Sequence, residues 1–282
     1  MLKSGSAVGR DEIGTSGMPE AWNERTPVKA RKFYVTGAGF LQLVSIIALL
    51  LIWELIAFIV GDEEILPTPI RVAEAIVDLT EQNGGLWQAA LVSAEIFVIG
   101  LLIAIVLAIP IGTILGTSRF ASRAFRSWLT LFWATPVIAI LPLLVSWFGL
   151  TTLTQLIVVV ASAFFPIVVN TQVGFEGVDP PLLDAARAFG ATRLRVLVRV
   201  RVPAAMPVVA AGIRVAVGRA VIGVIVAELF ISASGLGGKM TYYANFFQMS
   251  NYFAALVIFA FFSVIVTECT SILEHRATRY RD

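Results

Sequence analysis

Cysteine, histidine and charged residues are all scarce in this sequence of 282 residues. Cys269 is the only cysteine and His275 the only histidine, which excludes an intrachain disulfide and argues against a Cys/His metal cluster or a Cys–His nucleophile pair. Charged residues make up 14% of the chain and hydrophobic residues 58%. In soluble domains, charged residues make up about 25% of the chain and hydrophobic residues roughly 45–50%. The net charge of only +2 gives no indication of nucleic acid as a partner. The composition therefore predicts a membrane protein whose surface mostly faces lipid.

The sequence also lacks the motifs of an enzyme or a nucleotide-binding protein. The glycine-rich stretch 235–240 is not a Walker A loop, because it has no Ser or Thr for magnesium and lacks the required earlier glycine. Glu54, Glu95, Glu228 and Glu268 fall in four different apolar windows, without a partner base or metal ligand nearby in sequence. We therefore expect no catalytic residue, no metal site and no cofactor on this chain.

Six apolar windows are long enough to cross a bilayer, which takes about 20 mainly apolar residues in a helix. The windows are 40–61, 89–116, 128–148, 152–173, 207–232 and 251–273. The third and fourth contain no charged residue and are separated only by Gly149 to Thr151, which predicts a tight membrane hairpin. We expect an all-α membrane bundle over 40–273, between a polar N-terminal tail, 1–36, and a short C-terminal tail, 274–282.

Basic residues concentrate on alternate connections between the windows. They lie in both tails, after the second window and between the fourth and fifth, whereas the remaining connections hold only Arg71 and Lys239. By the positive-inside rule both termini are predicted to be cytoplasmic, which agrees with an even number of spans. On the outer side, Thr68 followed by Pro69 predicts the start of a short helix. That helix fits an interfacial element sealing the bundle or a docking surface for an external partner.

Three charged residues lie within the fifth window, Arg214, Arg219 and Glu228. Arg219 is near its middle, where a charge costs about 2.5–3.5 kcal/mol on insertion scales. Arg219 is therefore expected either to face an aqueous cavity on a substrate path or to pair with Glu95 or Glu268. Glu228 lies about one turn from the outer end of the window, where snorkelling explains it as well as a functional role does.

Prolines and small residues mark further positions within the windows. Pro136 and Pro142 both fall in the third window, where they favour a kink, although proline is also simply tolerated in membrane helices. Gly112 and Gly116 form a GxxxG step in the second window. This step predicts close helix packing, within or between subunits.

The segment 174–206 is too long for a simple connection and contains two element signatures. Asp179 before two prolines predicts the cap and first turn of a helix, which Gly190 ends. Thr192 can cap a second element, 193–202, whose alternation and β-branched residues suit a strand as well as a helix. A compact knob of this kind suits docking into a groove of another protein.

The spacing within this knob resembles the EAA loop of bacterial ABC-importer permeases, whose pattern is E-A-A-x3-G-x9-I-x-L-P. The matching residues are Asp184, Ala185, Ala186, Gly190, Val200, Val202 and Pro203. The departures are conservative, with Asp for Glu, Val for Ile and Val for Leu. The resemblance implies that the loop is a coupling helix docked on an ATPase subunit, and that ATP and magnesium are bound by partner chains.

Nearly the whole chain from about residue 50 is similar to the nitrate, taurine, aliphatic sulfonate and bicarbonate branch of these permeases. Four strings carry the similarity: Leu66-Pro67-Thr68-Pro69; Thr135-Pro136 to Pro142-Leu143 with Trp147-Phe148-Gly149; Phe165-Pro166 with Asn170-Thr171; and Glu228 with Ser234-Gly235-Leu236-Gly237. One departure is Glu95, where the branch more often has a basic residue. Glu95 weighs against a small inorganic anion as substrate.

The resemblance implies a type I importer permease in the bacterial cytoplasmic membrane. Two copies of the chain would form the pore, two cytoplasmic ATP-binding subunits would drive it, and an extracytoplasmic solute-binding protein would deliver the substrate. The pathway candidates are Arg219, Pro136, Pro142, Asn170 and Glu228. A vitamin precursor or an aromatic acid is an alternative substrate, and a stand-alone secondary transporter or a membrane-embedded enzyme is an alternative class.

Overall fold

The computed structural model describes residues 35–81, 85–231 and 234–278. Residues 1–34 of the predicted N-terminal tail and 279–282 of the predicted C-terminal tail lie outside this described part. The chain divides into two units between Leu49 and Leu50. The described part of the first unit is the beginning of the first helix, and the architecture below belongs to the second.

All regular structure in these described ranges is helical. The helices are α1 (Val35–Val60), α2 (Pro69–Glu81), α3 (Gly85–Thr117), α4 (Arg119–Ala134), α5 (Val137–Phe148), α6 (Thr152–Glu176), α7 (Pro180–Ala188), α8 (Arg193–Val196), α9 (Val202–Ile231), α10 (Gly235–Asn245) and α11 (Met249–Thr278). A π-helical turn, Leu197–Arg201, joins α8 to α9 without a break.

Five of these helices are long and apolar enough to cross a membrane, namely α1, α3, α6, α11 and α9 with the turns before it. The pair α4 and α5 gives a sixth span if it is counted as one, although the two helices are bent by 90°. The all-α bundle of about six spans predicted from the sequence is confirmed.

The third window, 128–148, was expected to be one span, and the structure divides it into the end of α4, a break and the whole of α5. Pro136 has no backbone N–H and forces the preceding residue out of the helical region. Thr135 is accordingly extended, with φ −73° and ψ 122°. Pro142, by contrast, lies inside the continuous helix α5. Only one of the two prolines interrupts the third span.

Helix α6 is central, because it packs along α3 on one side and α9 on the other. A Cβ atom on Gly112 would lie 2.5 Å from the Cβ of Thr171, and one on Gly116 would lie 2.6 Å from the carbonyl oxygen of Gln172. On α9, a Cβ on Gly223 would lie 2.8 Å from a side-chain oxygen of α6. These small residues therefore allow close helix packing within one protomer.

The short amphipathic helix α2 begins as predicted. The backbone N–H of Arg71 donates to the Thr68 hydroxyl at 3.3 Å, so Thr68 caps the first turn. The indole N–H of Trp53 donates to the carbonyl of Pro67 at 3.1 Å and ties this connection to α1. The apolar face of α2 packs against α11 around the buried Ala254. This packing supports the interpretation of a helix that seals the bundle.

Candidate functional site

A cavity of about 550 Å³ opens at the break between α4 and α5. Its walls come from the end of α4, the start of α5, the middle of α6 and the second half of α9. Three aromatic residues line it, Phe132, Trp133 and Phe165, and Phe132 stacks on Phe165 with ring centroids 5.7 Å apart. Because α6 contributes its central residues, the cavity lies midway along the spans. Discontinuous helices at mid-depth are typical of transport sites.

Arg219 is the one charged residue among those that line this cavity. Its side chain is exposed, and within the described residues it forms no ion pair at up to 4.0 Å. The alternative pairing with Glu95 or Glu268 is thus not made in this structure. Of the two sequence-based interpretations of Arg219, the geometry favours a residue that faces a cavity.

The structure brings Pro136 and Arg219 together on the cavity, but it places two other pathway candidates elsewhere. Pro142 lies on α5 beyond the lining residues. Asn170 lies on α6 and packs against α9, where a Cβ on Gly212 would come within 2.4 Å of the Asn170 Cβ. Its side-chain amide donates to the carbonyl of Pro166 at 2.8 Å. Asn170 therefore stabilises helix packing in this conformation.

Glu228 is fully buried and also lies away from the cavity. Its Oε2 atom accepts hydrogen bonds from the hydroxyl of Ser93 and from the backbone N–H of Gly237, both at 2.9 Å. The Ser93 hydroxyl in turn accepts the N–H of Leu236 at 3.0 Å. Glu228 thus holds the beginning of α10 against α3 and α9, and the snorkelling interpretation is wrong, because the side chain turns inward.

Sequence reasoning missed two residues that the structure makes prominent. Ser93 is a fully buried hydroxyl on α3 and pairs with a carboxylate 135 positions later. Ser162 lines the cavity beside Arg219, and its hydroxyl also donates to the carbonyl of Val158 at 2.8 Å. Both are single serines in long apolar windows, which was the only local signal available.

The first element of the knob within 174–206 is a helix, as predicted. α7 buries none of its residues, and Phe189, just after it, is 92% exposed. Asp179 precedes α7 but its side chain makes no capping hydrogen bond, because Pro181 has no N–H and the N–H of Leu182 donates instead to the Asp179 backbone carbonyl at 3.1 Å. Gly190 then ends the element with φ +74°, a left-handed conformation that favours glycine.

The second element of the knob is helical, which resolves the choice between strand and helix. The N–H of Arg195 donates to the Thr192 hydroxyl at 3.4 Å, so Thr192 acts as the predicted cap. Val200 lies in the π-helical turn, whereas Val202 and Pro203 form the start of α9. On the surface of α7, Asp184 pairs with Arg187 at 3.2 Å. The knob is therefore joined through continuous helix to α9, the span that carries Arg219.

This helical membrane chain has a cavity at a broken span and an exposed knob joined to a helix that lines the cavity. That architecture suits a permease subunit. Residues 108–279 match the family model described as a binding-protein-dependent transport system inner membrane component. The chain belongs to this family, the membrane permeases of ABC importers.

Individual relatives agree with this assignment. The chain is 30% identical to an aliphatic sulfonates transport permease protein of Bacillus subtilis, over 89% of this chain and 90% of that protein. It is 30% identical to the aliphatic sulfonates transport permease protein of Escherichia coli, over 90% of this chain and 95% of that protein. It is 34% identical to a formylaminopyrimidine transport permease protein of Halalkalibacterium halodurans, over 67% of this chain and 75% of that protein. These relatives confirm the family and the sulfonate and nitrate branch.

A solved structure supports the fold. The inward-facing MetNI methionine ABC transporter matches with a TM-score of 0.59, over 69% of this chain and 94% of that chain. The sequence identity is 17%, so this likeness concerns the fold alone. It agrees with a type I importer permease.

Proposed function

We propose that two copies of this chain form the translocation path of an ATP-driven importer for a small organic anion. The observation that carries this proposal is the unpaired guanidinium of Arg219 in a mid-span cavity whose other lining residues are uncharged. An unpaired cation at this depth is costly unless it is hydrated or meets an anion. A sulfonate, taurine, nitrate or a similar small anion fits that requirement.

Two further features of the cavity favour an anion with an apolar part. The first turn of α5 contributes Val137 and Ile138 to the wall, and the free amide groups at a helix start carry partial positive charge. The aromatic walls suit a hydrocarbon group more than a bare inorganic ion. Glu95, whose presence weighed against a small inorganic anion, lies on α3 and does not line the cavity.

A relative named for formylaminopyrimidine transport raises a vitamin precursor as a second candidate substrate. A neutral heterocycle would stack on the aromatic walls but would leave the charge of Arg219 uncompensated. We therefore favour the organic anion.

The remaining parts of the machine lie on other chains in this proposal. The exposed helix α7, with Asp184, Ala185 and Ala186, docks on a cytoplasmic ATPase subunit that binds ATP and magnesium. Gly190, Val200, Val202 and Pro203 shape its connection to α9. An external binding protein delivers the substrate, and both termini face the cytoplasm of a bacterial cell. This chain has no catalytic role of its own.

The test is uptake of a radiolabelled alkanesulfonate by the reconstituted transporter carrying Arg219→Gln. Hydrogen bonds to charged groups contribute about 1.5–3 kcal/mol, so we expect uptake to fall by roughly 10- to 100-fold. Glu95→Gln, which removes a charge from an exposed span position outside the cavity, should transport normally. Arg219→Gln with normal assembly and normal uptake would refute the proposal, and Arg219→Lys should retain partial activity.

A further inference from the structure

A second concavity, of about 760 Å³, lies at the end of the bundle that carries α7. It is bounded by the last turn of α3, the first turns of α4, the end of α6, helix α7 and the π-helical turn before α9. Five arginines line it: Arg119, Arg123, Arg126, Arg187 and Arg201. Two carboxylates, Glu176 and Asp184, also line it. Positive charge therefore exceeds negative charge by three.

Both carboxylates already have partners. Glu176 accepts hydrogen bonds from the side chains of Ser122 and Gln172 and pairs with Arg126 at 3.5 Å. Asp184 pairs with Arg187 at 3.2 Å. These contacts neutralise two of the five guanidinium groups.

The other three guanidinium groups have no such partner. In residues 35–81, 85–231 and 234–278, Arg119, Arg123 and Arg201 make no side-chain hydrogen bond or ion pair. All three line the same concavity. Guanidinium groups match the geometry of phosphate oxygens, which they bind through paired hydrogen bonds. The concavity therefore suits a ligand that carries phosphate.

The surroundings of the concavity indicate which phosphate compound fits. It lies where the apolar spans α3 and α6 end, which is the depth of lipid headgroups. Helix α4 is amphipathic, with its arginines at spacings of four and three residues along one side. Its other side exposes Phe120, Phe125 and Trp128, of which Phe120 is 85% exposed. An amphipathic helix with basic and aromatic sides suits the boundary between headgroups and acyl chains.

We propose that this concavity binds the headgroup of an anionic phospholipid, with Arg119, Arg123 and Arg201 contacting the phosphate. The acyl chains lie along the aromatic side of α4. A free phosphate ion or an acidic protein segment would satisfy the arginines but would make no contact with that apolar side. Because α4 and α7 both border the concavity, the lipid would contact the broken span and the knob together. Lipid binding itself does not depend on the proposed substrate or on ATP hydrolysis.

The test measures lipid affinity on the delipidated full-length permease by native mass spectrometry, with phosphatidylglycerol and phosphatidylcholine of the same acyl chains. Arg119→Gln/Arg123→Gln is compared with Arg195→Gln/Arg199→Gln, which removes two exposed positive charges from the same end outside this concavity. Each basic residue near an anionic lipid contributes about fivefold to affinity, so the first variant should lose roughly thirtyfold for phosphatidylglycerol. The control variant should keep the preference of the unmodified protein for phosphatidylglycerol, and Arg201→Gln alone should weaken it about fivefold.

Several outcomes would overturn this inference. One is equal affinity of the unmodified protein for the two lipids, and another is an equal loss in the two double variants, which would mean diffuse attraction without a site. Displacement of the lipid by millimolar inorganic phosphate would identify a free-anion site. Loss of the lipid when purified ATPase subunits bind would assign the arginines to that protein interface. Since no outcome involves transport, failure of this inference is distinguishable from failure of the proposed function.

Discussion

The left-handed backbone at Gly190 sets the end of α7, and its energetic contribution can be worked out from the structure. Its φ is +74°, and a Cβ there would meet no heavy atom within 4 Å. A valine at position 190 would therefore strain the backbone, but its side chain would not clash with a neighbouring atom. For an L-residue this strain is roughly 1–2 kcal/mol, which shifts a local equilibrium by a factor of about 5–30. The last turn of α7 would loosen, because Gly190 N–H donates to the carbonyl of Arg187 at 2.9 Å.

We expect Gly190→Val to uncouple the transporter. Substrate-stimulated ATPase activity and uptake should fall by about 5- to 30-fold in nanodiscs that contain the permease, its ATPase subunits and its binding protein, while basal ATPase activity remains. Gly190→Asn is the matched control, because asparagine adopts the left-handed conformation at low cost. The asparagine variant should keep most of the coupling.

Two results would refute this reasoning. Normal substrate stimulation in Gly190→Val would mean that the turn does not depend on glycine. An equal loss in both variants would mean that side-chain size matters at a partner surface, and that backbone conformation does not.

Two further predictions concern thermal unfolding of the detergent-solubilised chain. Gly112→Ala should destabilise it by about 1–3 kcal/mol, because the new methyl group would lie 2.5 Å from Thr171. Gly218→Ala is the control, because a Cβ at this position would have no heavy atom within 4 Å; it should leave stability unchanged or raise it by roughly 0.5–1 kcal/mol. A similar loss of stability in both glycine variants would contradict this reasoning. Glu228→Ala should lower the melting temperature through two lost hydrogen bonds, at about 0.5–1.5 kcal/mol each, whereas Glu268→Ala, at an exposed position, should not. Similar shifts in both Glu variants would refute the role of Glu228.

Local sequence signals predicted much of the fold. Apolar windows of membrane length need no partner to be recognised, since each helix satisfies its own backbone hydrogen bonds in lipid. The Thr68 cap and the Gly190 turn are likewise decided within a few residues, and both appear in the structure. The 90° bend between α4 and α5 was the exception. A proline in a membrane helix can either break the helix, as at Pro136, or be accommodated within it, as at Pro142, and packing decides between the two.

By itself, the sequence determined that this protein is a helical membrane protein with a knob of importer-permease spacing. Only the tertiary structure decided which side chains share a site. Arg219 and Pro136 meet at one cavity, whereas Glu228, from the same window as Arg219, turns inward to Ser93, 135 positions away. The physical reason is that the rotation and tilt of each helix depend on contacts with residues distant in the chain. Those contacts, such as the close approach of α3 and α9 to α6, leave no periodic signal in any single window.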